Sequence, residues 1–183
     1  MTPQRFRIRP LPTALMAAIL PIVGFATLHA EPPSESQLKV AYLYNFTKFV
    51  TWPASAFAHD REAFQLCVLG EESLGPILNA LRKKSVGTHP ITIRHPESPR
   101  TLPGCHLLFI PRSEEARLSE MFAVIRDQPI LTVGESPDFA DQGGMIHFIR
   151  IHDTLRFAIN QETALHAGLK IHATLLQVGH VLK

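Results

Sequence analysis

Two cysteines are the side chains of this sequence that could act as nucleophiles or form a disulfide. Cys67 lies inside the apolar run Phe64-Gln-Leu-Cys-Val-Leu-Gly70, and Cys105 opens the run Cys105-His-Leu-Leu-Phe-Ile110. A nucleophilic cysteine needs a lowered thiol pKa and a nearby base, and an apolar strand works against both. The two thiols can form a disulfide if their strands are neighbours with matching stagger. The alternative is that they stay reduced and pack as small hydrophobic groups.

Histidines and one glycine-containing turn raise the question of metal or phosphate binding. The chain has 10 histidines, but none forms the helical i, i+4 pair or the Cys/His pattern of a metal site. The turn Gly-Glu-Glu-Ser-Leu-Gly at 70–75 lacks the lysine of a phosphate-binding loop, and its two carboxylates would repel an anion. The sequence therefore predicts no catalytic residues, no metal and no cofactor, and we expect that the protein is not an enzyme.

Residues 1–30 show the succession of basic, apolar and small residues that is typical of a secretory signal peptide. Three arginines precede an uncharged stretch at 11–28, and small residues follow. We expect cleavage after Ala26 or Ala30, and we expect residues 31–183 to form a single domain in the periplasm. A retained membrane anchor is the alternative, although two prolines in the uncharged stretch disfavour a long helix.

Loss of this segment changes the net charge of the protein. The full chain has 18 Lys and Arg residues against 16 Asp and Glu residues, which gives a formal charge of +2. Without Arg5, Arg7 and Arg9, 15 basic residues remain and the net charge is about −1. A protein without a strong positive field is a poor candidate for binding nucleic acid. The basic run Arg82-Lys-Lys84 is typical of the solvated end of a helix.

Alternating strand and helix patterns predict a three-layer α/β fold. Short apolar runs are typical of buried strands, and capping residues are typical of helix starts. In chain order, we expect strands at 64–69, 91–94, 107–110 and 130–133, and helices at 73–84, 113–127, 161–168 and 172–182. Strands joined by a helix run parallel, so the sheet is predicted to be mixed and mostly parallel, with flanking helices.

A C-terminal antiparallel hairpin is expected to complete the sheet. Residues 146–151 and 155–159 both alternate between apolar and polar side chains, and a polar break at 152–154 separates them. Asn160 follows the second run and fits the N-cap of the helix predicted to begin at Gln161.

A helix predicted over residues 38–52 is apolar around most of its circumference, and Pro53 stops it. Its aromatic side chains exceed what one core face needs. The candidates are Tyr42, Tyr44, Phe46, Phe49 and Trp52. Aromatic side chains serve either as core or as anchors of a partner-binding surface. Both interpretations stay open at this point, and binding of a partner protein is the more specific of the two.

The order of these segments resembles that of one known family. The first helix ends in Trp52-Pro53, and the two cysteine-containing strands follow it. The C-terminal half reads Ile130-Leu-Thr-Val-Gly134, then Gly143-Gly-Met-Ile146, then Arg156-Phe-Ala-Ile-Asn160. In this order the chain resembles the YfiR-like family of periplasmic regulatory proteins from about residue 38 to its C-terminus.

The resemblance implies a regulatory binding protein. The family's namesake binds the periplasmic part of an inner-membrane diguanylate cyclase and restrains it, and an outer-membrane lipoprotein relieves the restraint. A membrane-bound diguanylate cyclase is therefore the expected partner of this chain. An outer-membrane lipoprotein and a second copy of the chain are further candidates.

The two cysteines match only part of the namesake's pattern. Cys67 and Cys105 correspond to one of its two cysteine pairs, which favours a disulfide between them, while the second pair near the final hairpin is absent. The alternative class of protein is a periplasmic small-ligand-binding or sensor module. A convergent polar pocket at the carboxyl ends of the strands would favour that alternative.

Overall fold

A computed structural model of the chain describes residues 32–70 and 74–182. The predicted signal peptide and its cleavage sites lie outside these residues. The described α-helices are α1 (Glu35–Phe49), α2 (Leu118–Ile125), α3 (Gln161–His166) and α4 (Ala173–Val178). The described strands are β1 (Val50–Thr51), β2 (Phe64–Val68), β3 (Ser85–Val86), β4 (His89–Arg94), β5 (Leu107–Ile110), β6 (Leu131–Gly134), β7 (Ile146–Ile151), β8 (Thr154–Ile159), β9 (Lys170–Ile171) and β10 (His180–Val181).

The main sheet of the described chain has eight strands in the order β10-β8-β7-β6-β5-β2-β4-β3. Its central strands, from β4 through β2, β5 and β6 to β7, pair in parallel. The β7–β8 pair is antiparallel, and β3 pairs antiparallel with β4 at the far edge. The predicted mixed, mostly parallel sheet with a C-terminal antiparallel hairpin is confirmed.

Side-chain alternation along the strands separates two hydrophobic layers. Leu107 and Phe109 belong to a cluster that includes residues of α1 and α4, whereas Leu108 and Ile110 belong to a cluster that includes residues of α2. Successive side chains of a strand point to opposite faces of its sheet. Helices therefore cover both faces of the sheet, and the predicted three layers are confirmed.

The first helix begins at a capping box and ends earlier than expected. Ser34 Oγ accepts a hydrogen bond from the Gln37 amide at 3.3 Å, and Gln37 Oε1 accepts one from the Ser34 amide at 2.7 Å. The predicted extension of this helix to Trp52 is wrong. Val50–Thr51 instead pairs antiparallel with Lys170–Ile171, because β-branched side chains suit a strand and a partner strand is available.

Two further predicted helices differ from the structure in type or length. Gly75–Lys83 is a 3-10 helix, where an α-helix was expected. The helix expected from Ser113, with that residue as its N-cap, begins later, because a 3-10 segment, Arg112–Arg117, precedes the start of α2 at Leu118. The sequence therefore places these helices between the correct strands but does not determine their type.

The last helix is shorter than predicted and ends at Val178. Gly179 then continues in extended conformation into β10, which pairs in parallel with β8. A Cβ atom on Gly179 would lie 2.7 Å from side-chain atoms of both Ile159 and Phe157. The absence of a side chain at this glycine therefore lets the chain approach β8 closely enough to pair with it.

The hairpin and the helix that follows it agree with the sequence. His152 and Asp153 have φ values of 46° and 59°, which suit a two-residue turn of the primed type. Asn160 Oδ1 accepts a hydrogen bond from the Thr163 amide at 3.1 Å and caps α3. Gly168, with φ of 78°, follows that helix as expected.

Candidate partner-binding surface

The aromatic side chains proposed for partner binding divide into two groups in the structure. Phe46 is fully buried and Trp52 is 9% exposed, so both belong to the core of this chain. Tyr42, Tyr44 and Phe49 are only partly buried and pack against the edge of the core. These three side chains are therefore the ones that could still contact a partner.

An apolar groove lies where α1 contacts α4, and it brings two of these three aromatics together. Tyr42 and Phe49 line it from α1, and Leu175 and Val178 line it from α4. We call it the α1–α4 groove; its volume is about 330 Å³. Val178 is 65% exposed, which is unusual for a valine beside so much apolar surface. An apolar groove of this size, open to solvent, is a candidate site for contact with a protein or ligand side chain.

The wall of the groove on the α1 side is fixed by ring packing. The Tyr42 ring centroid lies 5.9 Å from that of Phe46, 5.9 Å from that of Phe148 and 5.5 Å from that of Phe157. These separations fall in the range of favourable aromatic pairs. Because Phe148 and Phe157 belong to the β7–β8 hairpin, the hairpin holds the groove in shape.

Trp52 fixes the chain just after α1. Its indole Nε1 donates a hydrogen bond to the backbone carbonyl oxygen of His106 at 3.0 Å, and its ring meets that of Phe64 edge to face at 5.0 Å. A buried indole N–H needs such an acceptor. Trp52 therefore has a structural role that explains its burial without a partner.

His106 is a buried histidine whose role the sequence analysis missed. Its Nδ1 accepts a hydrogen bond from the Gln65 amide at 2.9 Å, and its Nε2 lies 2.9 Å from the carbonyl oxygen of Ala56, to which it donates. The ring stacks between those of Phe57 and Phe64. Burial lowers the pKa of His106, so the neutral ring is favoured. The available sequence signal was a histidine at the start of the apolar run that β5 forms.

Cys67 and Cys105 form a disulfide, as the sequence analysis favoured. Their Cα atoms are 5.8 Å apart, and both residues are buried. The strand β2 that carries Cys67 pairs directly with β5, which begins just after Cys105. The condition of neighbouring strands with matching stagger is therefore met.

A second pocket, which we call the polar pocket because half of its lining residues are charged, lies at the carboxyl edge of the parallel strands, where Arg112 and Glu135 follow β5 and β6. Its volume is about 380 Å³. Lys39 also lines it and forms ion pairs with Glu35 and Glu135, each at 2.6 Å. Burial alone would lower the pKa of Lys39, but its hydrogen bonds to Glu135 and Glu35 outweigh burial and raise it. The one lysine on the otherwise apolar side of α1 is thus held between two carboxylates.

His147 lines the same polar pocket from the start of β7, where it pairs with Gly134 at the end of β6. Among the described residues, its Nδ1 is buried without a hydrogen-bond partner. Burial lowers the pKa of His147, and the charge of Asp141 opposes this in part. An unpartnered polar atom in a pocket at strand ends is the kind of feature that the alternative class of protein would use.

In residues 32–70 and 74–182, no three His, Cys, Asp or Glu side chains are grouped so that they could hold a metal ion. Over the same residues, the helices are too short or too polar to cross a bilayer.

The fold and the groove define a three-layer α/β domain with an exposed apolar surface beside its first helix. The chain belongs to the YfiR/HmsC-like family, whose model matches residues 36–180. This match confirms the resemblance drawn from the order of the sequence segments. No curated protein is significantly similar to the chain.

A solved structure supports the fold independently. The chain is similar to a crystal structure of a conserved domain protein from Vibrio cholerae O1 biovar El Tor strain N16961, with a TM-score of 0.56 and 9% sequence identity. The similarity covers 82% of this chain and 60% of that chain. At this identity the likeness concerns the fold alone.

Proposed function

We propose that this protein is a periplasmic regulator that lowers the output of an inner-membrane diguanylate cyclase by binding the periplasmic part of that enzyme. Its effect is a lower cellular level of cyclic di-GMP. Membership of the YfiR/HmsC-like family supports a periplasmic regulator of this general kind. The protein itself carries out no catalysis in this proposal.

The observation that carries the proposal is the exposed α1–α4 groove. Its apolar walls include Tyr42, Phe49 and the 65% exposed Val178. Apolar and aromatic side chains that pack around a pocket are typical of the central part of a protein–protein interface. A partner side chain that fills the groove would remove this surface from water.

The proposal includes export and a single mature domain. Residues 1–30 act as a signal peptide that is cleaved after Ala26 or Ala30, and residues 31–183 form the regulatory domain in the periplasm. An outer-membrane lipoprotein that competes for the regulator would restore cyclase output, and a second copy of the chain is a further candidate partner.

One observation favours a second candidate function, a small-ligand-binding or sensor module. The polar pocket at the strand ends contains the Lys39–Glu135 ion pair and the unpartnered His147 Nδ1. A small molecule with both a charged group and a hydrogen-bonding group would suit it. This function does not require a cyclase.

Deletion of the gene separates the two functions. The regulator predicts higher cyclic di-GMP, more biofilm and less swimming in the deletion strain, and return to the original level when the gene is restored. If cyclic di-GMP is unchanged in a strain that normally expresses the protein, the regulator is rejected and the ligand-binding function takes its place.

A further inference from the structure

Two lysines converge on one aromatic ring beside the α1–α4 groove. The Nζ of Lys48 lies 4.2 Å from the centroid of the Tyr44 ring, and the Nζ of Lys84 lies 6.0 Å from the same centroid. Lys48 belongs to α1, whereas Lys84 directly follows the 3-10 helix Gly75–Lys83. We call these three residues the Tyr44 patch. Arg82 and Lys83, which precede Lys84 in the sequence, are also exposed.

The positive charges of the Tyr44 patch lack acidic partners within the part of the chain that the structure describes. Neither Lys48 nor Lys84 forms an ion pair there. Lys48 donates instead to the neutral amide oxygen of Asn45 at 3.2 Å. Lys39, on another side of the same helix, contacts two carboxylates. Two nearby ammonium groups without counter-charges among residues 32–70 and 74–182 create a local positive field on a mature chain whose net charge is about −1.

The Tyr44 patch and the α1–α4 groove are joined by Asn45. This residue accepts the hydrogen bond from Lys48 and also lines the groove. At about 100° per residue, Lys48 lies on the helix surface between Tyr44 and Asn45, and Phe49 follows next around the circumference. A single segment that binds along the exposed side of α1 would therefore contact the lysines and the groove together.

We propose that the α1–α4 groove binds an acidic, amphipathic segment of the partner protein. The segment places an apolar side chain between α1 and α4 and sets carboxylates against Lys48 and Lys84. This inference rests on the proposed function. It adds that the partner's binding segment is acidic and carries an apolar side chain. Complementary charge at the rim of an apolar site directs association and orients the partner.

An anionic membrane surface is the other source of negative charge that the Tyr44 patch would attract. Lipid headgroups would neutralise the lysines. They offer no single side chain for a groove of about 330 Å³ whose lining includes Asn45, the residue that Lys48 contacts. The shared lining residue Asn45 therefore favours a protein segment over a lipid surface.

The test uses the purified mature protein and the purified periplasmic part of the cyclase whose output rises on deletion of the gene. The double variant Lys48→Glu/Lys84→Glu reverses the charge of the patch. The matched control is Arg100→Glu/Arg126→Glu, which reverses two exposed charges near α2, on the other face of the sheet. Thermal unfolding of both double variants checks that each one folds.

We expect the patch variant to weaken binding of the cyclase fragment by about tenfold or more, and the control to leave Kd within about twofold of the original. Binding of the unmodified protein should also weaken as salt is added. Equal binding by the folded patch variant overturns the acidic-segment inference and leaves the proposed function intact. If the unmodified protein binds no cyclase fragment, the proposed function fails and the inference fails with it.

Sedimentation with lipid vesicles distinguishes a membrane contact from a protein contact. Vesicles of phosphatidylglycerol and phosphatidylethanolamine should carry down little of the unmodified protein at physiological salt. The contrary result has two parts: the vesicles bind the unmodified protein and not the patch variant, and these two proteins bind the cyclase fragment equally. In that case the patch is a membrane contact, and the acidic-segment inference is rejected.

Discussion

The indole Nε1 of Trp52 donates a hydrogen bond to the backbone carbonyl oxygen of His106, across 54 positions of sequence and a distance of 3.0 Å. His106 lies next to Cys105, whose sulfur is bonded to that of Cys67 in β2. The chain that leaves α1 is thus tied to the centre of the sheet at the same place where the disulfide joins β2 to the start of β5. The orientation of α1, and with it the shape of the groove, depends on residues outside the groove.

Replacement of Trp52 tests how much this hydrogen bond stabilises the protein. We expect Trp52→Phe to lower the free energy of unfolding by about 1–2 kcal/mol, because it removes the indole N–H and part of a buried ring, while the His106 carbonyl keeps the Leu131 amide as a donor. Trp52→Ala should cost about 3–5 kcal/mol, because it also leaves a cavity. Urea unfolding measures both. A Trp52→Phe variant as stable as the original would show that the bond contributes nothing net.

Buried histidines should make the protein sensitive to acid. Burial lowers the folded-state pKa of His106 and of His147 below the ordinary value of 6.5. The unfolded chain therefore takes up protons near pH 6.5 while the folded chain does not, so stability falls as the pH drops below about 6.5 until the folded-state pKa values are reached. Above that pH the contribution is fully present.

Unfolding free energies measured between about pH 7.5 and about pH 5 check this expectation. The loss of stability over this range should be smaller in His106→Gln than in the original protein. The control His152→Gln changes an exposed histidine of the hairpin turn and should leave the loss unchanged. Equal pH dependence in all three proteins would contradict the role assigned to His106.

The disulfide should contribute a large part of the stability. It joins residues 38 positions apart, and loop-entropy reasoning assigns such a bridge about 4 kcal/mol. Cys67→Ala/Cys105→Ala should lower the free energy of unfolding by about 2–4 kcal/mol, as measured by urea unfolding of the variant and of the oxidised original protein. Two alkylatable thiols in protein isolated without reductant would show that the bridge does not form in the periplasm.

The mature N-terminus tests the export part of the proposal. Intact mass of the protein released from the periplasm should correspond to a chain that begins at Thr27 or Glu31. A full-length product in the membrane fraction would show that the segment is retained as an anchor.

Local patterns were sufficient to predict the central strands and the hairpin. The strand at Leu107–Ile110 and the turn that begins at His152 agree with the sequence, because each depends on neighbouring residues; the second hairpin strand begins one residue earlier than expected, at Thr154. The end of α1 was wrong because Val50–Thr51 pairs with Lys170–Ile171, a contact across most of the chain. Long-range pairing of this kind leaves no signal in the local apolar pattern.

The sequence predicted which residues could form the partner-binding surface, but not which of them are exposed. The sequence identified all five aromatics of the first helix and its end, but the fully buried Phe46 and the partly exposed Phe49 have the same apolar character. Their different exposure depends on where α4 packs, and α4 itself was expected to be longer. Convergence of Lys48 and Lys84 on Tyr44 likewise depends on the packing of two elements distant in sequence.

The most direct test of the proposed regulation is the cyclic di-GMP level of the deletion strain that carries single variants of the gene. Val178→Glu places a carboxylate in the α1–α4 groove at a residue that is 65% exposed, so folding should be unaffected. Val124→Glu is the matched control on α2, at the other face of the sheet, where the valine is 37% exposed. We predict that the original gene and Val124→Glu restore low cyclic di-GMP, while Val178→Glu, expressed and folded at the same level, leaves it as high as in the deletion strain. Full restoration by Val178→Glu would contradict binding of the cyclase at this groove.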